Sequence, residues 1–242
     1  MNVNIPDKKL FINGFLQPLS KLNDSCVVTL DGEGFSSLVC TSDTSVILHS
    51  QYKVNTDIDV PVSLNISDIK KVIKAFECIS TDSFTIVVDK NNINYNGPEI
   101  RFKYHLLEDG IITAPKVNVS KIASLNFPIE FVIQYKSLIE LLRGSTFASE
   151  SNKLYLYSKE GKIFGDLTDR ARHNVDSISI PLCEYKGEEL TNLCLNFELI
   201  RIISSVRVKQ LECKINQKLG VVLFQLIDGP VKTRYIASSL IK

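Results

Sequence analysis

Along much of this chain, apolar and polar positions follow a period of two rather than of 3.6. The runs CVVTL (26–30), SVILHSQ (45–51), FTIVVD (84–89), IRFKYHLL (100–107), EFVIQ (130–134) and KLYLYS (153–158) are rich in β-branched and aromatic residues, and they predict strands. Further strands are expected at 162–167, 177–182, 193–196, 211–216, 221–227 and 233–237. Turn pairs punctuate them: Asp31-Gly32, Asn96-Gly97, Glu160-Gly161, Lys186-Gly187 and Asp228-Gly229.

Helical spacing appears in a few places. In 67–77 (SDIKKVIKAFE), Ile69, Val72, Ile73 and Phe76 share one face, and Lys70, Lys71 and Lys74 share the other. Ser67 is the expected N-cap, with Asp68 in the first turn. A second helix is expected at 136–144, with Leu138, Ile139, Leu141 and Leu142 inward, Lys136 and Arg143 outward, and Gly144 as C-cap. A third runs from 197 to about 206, with Leu199, Ile202, Ile203 and Val206 inward and Arg201 outward. A fourth, near 7–17, shows no clean stripe, and Pro18 is expected at or beyond its end.

An internal repeat organises these elements. SLNISDIKKVIKAF in the first half parallels CLNFELIRIISSV in the second, and Leu64-Asn65 and Leu195-Asn196 mark a register of 131 residues. Each match is followed by strand, turn, strand, turn, and a strand mixing basic and aromatic residues. The chain therefore reads as two similar domains, each with two helices packed on antiparallel sheets, in the α+β class. The N-terminal domain is expected at 1–110, an interdomain connector at 111–128 and the C-terminal domain at 129–242.

Composition narrows the functional classes. The 242 residues are 44% hydrophobic and 23% charged, ordinary for a protein with a real core. No targeting segment and no apolar run of membrane-spanning length appears, so the protein is expected to be soluble and intracellular, with no membrane partner. Its six cysteines form no CxxC pair, and they read as buried reduced thiols rather than as a disulfide framework or zinc site; no metal and no cofactor is expected. His49, His105 and His173 are far apart in sequence. No GxSxG, HExxH or phosphate-cradling loop occurs, and Asp57 and Asp59 read as a solvated pair. No catalytic residue is assigned, and the chain is not expected to be an enzyme. The loop Asp169-Arg170-Ala171-Arg172-His173 reads as a nucleic-acid contact, an interface salt bridge or a solvated turn. A net charge of +1 argues against a protein that holds DNA by affinity alone, because phosphate contacts need a basic excess. It does not argue against a protein that encircles DNA.

Ring closure can be estimated. Six such domains would present about twelve helices, each roughly 10 Å wide, on a circle about 38 Å across, leaving about 28 Å clear for a duplex. Six domains from a two-domain chain make a trimer, and closure removes exposed sheet edges.

The order of elements, the repeat and the basic helix faces together resemble the DNA sliding clamp family, the polymerase processivity factors of T-even phage and proliferating cell nuclear antigen type. The matching stretches are VSLNISDIKKVIKAF, EFVIQYKSLIELLRGSTFA with KLYLYSKEGKIFGDL, and VVLFQLIDGPVKTRYIAS. The resemblance implies the ring-forming DNA clamp fold. It implies a head-to-tail homotrimer that encircles duplex DNA without sequence preference, tethers a DNA polymerase and is loaded by a clamp loader ATPase. Its T-even character makes a phage source, and hence a host cytoplasm, the leading expectation. Carried onto this sequence, the DNA-facing positions are Lys70, Lys71, Lys74, Lys136, Arg143 and Arg201. A pocket between the domains for partner peptides falls at the turn from Cys40 to Val46, at Ile111, Ile112 and Pro115, and in the segment from Ala237 to Ile241. The competing reading of the cations is a solvated helix face, and that of the pocket residues is interdomain core. Two alternative functions stand beside the homotrimeric clamp: a subunit of a heterotrimeric clamp, or a monomeric, non-enzymatic protein-binding module.

Overall fold

The computed structural model describes residues 1–205 and 209–240. The chain divides into two compact units. The first comprises Met1–Val117 together with Ile227–Thr233, and the second comprises Asn118–Leu226 together with Arg234–Lys242.

The first unit runs β1 (Asn2–Ile5), α1 (Lys8–Leu10), a π-helical stretch (Phe11–Leu16), α2 (Gln17–Leu22), β2 (Cys26–Asp31), β3 (Gly34–Cys40), β4 (Val46–Lys53), β5 (Val62–Ile66), α3 (Ile69–Glu77), β6 (Phe84–Val88), β7 (Asn92–Asn96) and β8 (Arg101–His105). Two antiparallel sets of strands form, in the orders β5-β2-β3-β4 and β1-β6-β7-β8. Strict alternation of buried and half-exposed side chains along β2 and β4 aims one face of the first sheet at the core. Aromatic rings fill that core. Phe76 of α3 lies 5.8 Å from Phe11, 5.3 Å from Phe84 and 5.9 Å from Phe102, and Phe11 packs on Phe35 and Tyr52 at 5.0 Å each. Phe76 on α3 thus ties the first helical stretch to the sheet of β6 and β8, and Phe11 ties it to the sheet of β3 and β4.

The second unit repeats the plan: α4 (Val119–Ala123), β9 (Ile129–Gln134), α5 (Tyr135–Phe147), β10 (Lys153–Lys159), β11 (Lys162–Leu167), β12 (Ile178–Glu184), β13 (Leu193–Asn196), α6 (Glu198–Ser204), β14 (Gln210–Asn216), β15 (Val221–Asp228) and β16 (Val231–Ser238). The order β12-β11-β10-β13 mirrors β4-β3-β2-β5, and β14 pairs antiparallel with β9 and β15. Its core joins aliphatic side chains, among them Leu138, Leu141, Leu154, Ile163, Leu195, Ile203, Leu211 and Ile215, to the buried rings of Phe197, Phe224 and Tyr235. No helix among the described residues is long and apolar enough to cross a membrane.

The structure corrects several sequence expectations. The first helical stretch passes through Pro18 and ends at Leu22. Proline removes the bond to the carbonyl four residues back, which is that of Gly14. The π-helical turn before it resets the ladder, and the Thr233 hydroxyl donates to the Gly14 carbonyl at 3.3 Å. Gly14 itself is needed for close approach, because a Cβ there would sit 2.9 Å from Val231. Gly144 is not a C-cap: α5 continues to Phe147, and Gly144 lies buried in mid-helix where a Cβ would meet Ile180 at 2.9 Å. Asp68, not Ser67, caps α3; its carboxylate accepts from Lys71 N at 2.9 Å, while Ser67 turns its hydroxyl to Tyr104 at 3.1 Å. On α6 the inward residues are Leu199, Ile200 and Ile203, with Ile202 half-buried; Val206 lies outside the described residues. On α5, Ile139 and Leu142 are half-buried. All six cysteines are free thiols, but Cys78 is exposed at the end of α3, and only Cys26, Cys194 and Cys213 are fully buried. The strands β1, β3, β5 and β7 add to those read from the sequence.

Because Phe76 packs on the first helical stretch and on β6 and β8 of one sheet, Phe76→Ala is expected to cost about 3–5 kcal/mol of stability, measured as a lowered urea midpoint. A midpoint shifted by no more than that of an exposed substitution on α3 would show that the ring does not anchor the helix.

Candidate functional site

The lysines of α3 are placed by what pins the helix on its other side. Ile69, Val72, Ile73 and Phe76 are buried, so Lys70, Lys71 and Lys74 stand in water. The start of the helix is fixed twice. Ile69 N donates to the Asp24 carbonyl at 2.8 Å, and Asp68 N donates to the Tyr104 hydroxyl at 3.0 Å. Tyr104 comes from β8, so sheet and helix set each other's position.

The six cations assigned from the sequence are not equivalent. Lys70 is bonded to Asp24 at 2.7 Å, and this hydrogen bond raises its pKa. Both side chains are mostly exposed, so the pair adds little stability but does offset the charge of Lys70. Lys136 approaches Glu140 at 4.0 Å across one helical turn. Arg201 bonds Glu198 at 2.9 Å and lies over the Phe197 ring at 5.0 Å. Among the described residues, Lys71, Lys74 and Arg143 face no carboxylate within ion-pair distance, and they are the cations left to meet an external anion. Sequence reasoning missed two more. Lys9 and Lys21 are exposed on the first helical stretch, on the side away from Phe11, Phe15, Leu16 and Leu19. The signal lay in the chain: Lys9, Asn13, Gln17 and Lys21 recur every four residues, a polar stripe at helical spacing. Lys8 differs, since its ammonium is used in a bond to the Ile79 carbonyl.

A second feature lies within the first unit. A pocket of about 350 Å³ is lined by Cys26 and Val27 of β2, Leu38, Val39 and Cys40 of β3, and Leu107 and Ile111 to Pro115 of the connector. Of the residues assigned to a partner pocket, the structure brings together Cys40, Ile111, Ile112 and Pro115. Val46 does not line it; Val46 is buried and closes the turn, accepting at its carbonyl from Thr41 N at 3.0 Å. Ala237 is buried in β16 of the second unit, and Ile241 lies outside the described residues. The segment that leads into the connector is held to the sheet by Asn65, which is buried on β5. Its side-chain amide donates to Asp109 at 2.7 Å, and its carbonyl accepts from Leu107 N at 2.9 Å. Ile111, just beyond this anchor, is 61% exposed. Burial pushes the Cys26 thiol on the pocket wall up to about 12, so it is an inert apolar group rather than a nucleophile.

The loop Asp169 to His173 is resolved into separate roles. Arg170 is an anchor: it stacks 4.4 Å over Tyr155 and bonds Asp166 at 2.9 Å and Asn192 at 2.6 Å. Asp169 bonds Lys153 at 2.7 Å. Asp57 and Asp59 are exposed and lie outside any strand.

The turn between β3 and β4 is built on Asp43, whose carboxylate accepts from the Thr41 hydroxyl at 2.6 Å, the Ser45 hydroxyl at 2.8 Å and Ser45 N at 3.1 Å. These bonds hold its pKa down at about 2. A depressed carboxylate stabilises the folded turn above its ordinary pKa and loses that contribution as pH falls toward the folded value. The Asp43 carboxyl is therefore expected to titrate near 2 by NMR, with exchange of the Ser45 amide quickening between pH 4 and 2. Titration at an ordinary carboxylate pKa of about 3.9 would contradict the described turn.

No protein-family profile matches the sequence, and no curated protein matches it. Solved structures do resemble it. The A. fulgidus PCNA bound to the C-terminal region of FEN-1 superimposes with a TM-score of 0.77 at 15% identity, over 100% of this chain and 98% of that one. The Proliferating Cellular Nuclear Antigen of Entamoeba histolytica gives 0.78 at 8% identity over 98% of both chains. The PCNA2–PCNA3 complex of Sulfolobus tokodaii gives 0.72 at 11% identity over 100% of both. The chain has the fold of the PCNA-type sliding clamps.

Proposed function

We propose that this protein is a sliding clamp that closes as a homotrimer around duplex DNA and tethers a DNA polymerase, without performing chemistry of its own. The observation that carries the reading is the clamp fold over the whole chain, with the uncompensated cations Lys71, Lys74 and Arg143 standing on helix faces opposite the core. A near-neutral chain makes a poor DNA binder by affinity, but a closed ring needs only weak, diffuse contact with phosphates. Helix lysines in water supply contact of that kind. The pocket beside the connector is the proposed seat for short apolar segments of the polymerase and of the clamp loader ATPase.

Two measurements test this. At micromolar concentration the native mass is expected near three times the 27.2 kDa chain. A lone monomer under these conditions would end the homotrimer reading and leave a heteromeric clamp subunit or a monomeric binding module. Replacing Lys70, Lys71 and Lys74 together by Glu is expected to leave folding and native mass intact while shortening the products of polymerase on primed circular DNA. Unchanged product lengths would remove α3 from the DNA-facing surface.

A further inference from the structure

One ring on α5 stands apart from the rest. Of the twelve phenylalanines, all among the described residues, nine are buried, and Phe102 and Phe164 are half-buried. Phe147 alone is exposed, at 59%. Nine residues, two and a half helical turns, separate it from the buried Leu138, so it stands on the side of α5 opposite the core. That side carries Lys136, Glu140, Arg143 and Phe147 at helical spacing. The first helical stretch presents Lys9, Asn13, Gln17 and Lys21 in the same way. The second unit thus ends its polar stripe with an aromatic ring where the first ends with a lysine.

The surroundings of the ring suit a ligand that is both aromatic and anionic. Arg143, one turn earlier on the same side, is exposed and faces no carboxylate within ion-pair distance among the described residues. The nearby acids are engaged: Glu140 approaches Lys136 at 4.0 Å, and Glu150 is paired with Arg172 at 3.5 Å. Asn152, five residues beyond the ring, accepts from Arg201 at 3.4 Å and so holds a second guanidinium near the end of α5. The negative end of the helix is muted. The carbonyls of Leu142, Arg143 and Gly144 accept from the Ser145 hydroxyl at 2.8 Å, the Thr146 hydroxyl at 2.7 Å and Ala148 N at 3.0 Å. Among the described residues no ring or cation stacks on Phe147. Its exposed neighbours in the chain, Thr146, Ser149 and Glu150, are polar, unlike the apolar surround that seats a protein segment. A duplex keeps its bases stacked on one another and offers such a ring only sugar and phosphate. An unpaired base offers a π face, and stacking on an aromatic ring beside basic groups holds single strands without sequence preference.

We propose that Phe147 and Arg143 form a stacking site for an unpaired base of single-stranded DNA, the ring taking the base and the guanidinium the adjoining phosphate. Four residues apart on one helix, their Cβ atoms stand about 5–6 Å from each other, close enough to serve one nucleotide. The assignment rests on the reading that this face of α5 meets DNA, and adds that the face tells a single strand from a duplex.

The chain has no tryptophan, so Phe147→Trp in the full-length protein places a single fluorescent reporter at the site. A short oligothymidylate is expected to quench it, whereas a blunt duplex of the same length and an abasic oligomer with the same number of phosphates are not. By anisotropy of the labelled oligothymidylate, Phe147→Ala is expected to weaken binding on the order of tenfold, and Phe147→Tyr to keep it. The position is exposed, and circular dichroism with native mass checks that each variant folds and assembles as the wild type does. Absent quenching, equal quenching by the abasic oligomer or the duplex, or an unchanged affinity in Phe147→Ala overturns the stacking site. A Phe147→Ala variant that shortens polymerase products at unchanged single-strand affinity assigns the ring to a protein contact and overturns it too. None of these results alters the native mass or the α3 lysine test, on which the clamp reading stands.

Discussion

The packing of Phe76 against Phe11, Phe84 and Phe102 is the contact on which the rest of the first unit depends. It joins one helix to a second helical stretch and to the sheet of β6 and β8, with Phe11 passing the contact on to Phe35 and Tyr52 of the other sheet, and so fixes the roll of α3 about its own axis. With the roll fixed, the positions opposite the ring must point to water. They are lysines, for which water is the cheapest place to be. The site is therefore a by-product of burial: the aromatic core decides where the charge goes. The second unit obtains the same outcome with aliphatic side chains, Leu138 and Leu141 beneath α5, and with Gly144 letting that helix lie against Ile180.

Much of this was legible in the sequence, because the strongest signals were periodic. The stripe Ile69, Val72, Ile73, Phe76 is an unambiguous helix face, and the repeat of Leu-Asn ahead of it doubled the evidence. What was missed has local causes. β1 and β7 read NVNI and NINYN, and their alternate asparagines lower strand propensity although the residues between them are buried. β3 hides a serine in the core at Ser37, satisfied by the Val27 carbonyl at 2.9 Å, a partner that no single-strand pattern reveals. Pro18 reads as a helix end because its compensation comes from Thr233, 215 residues further on in the chain.

The candidate site was legible in part for the same reason. Residue type and spacing place the six cations on helix faces, but in the folded chain Asp24, Glu140 and Glu198 take up three of them. The connector shows a similar limit. Its apolar residues were evident, whereas the buried Asn65 that ties the segment before it to β5 served in the sequence only as a register mark. A buried asparagine whose side-chain amide and backbone carbonyl both bond one loop acts as a rivet, and rivets have no period.

The composition of the first unit also sets an order of events at synthesis. Its body is residues 1–117, yet Val231 packs on Gly14, and the hydroxyl that completes the helix at Pro18 belongs to Thr233. A ribosome making this chain emits Gly14 of the first helical stretch 219 residues (233 − 14) before Thr233, which supports it. Until β16 emerges the first unit has an unfinished flank, and the closing of that flank waits on that strand.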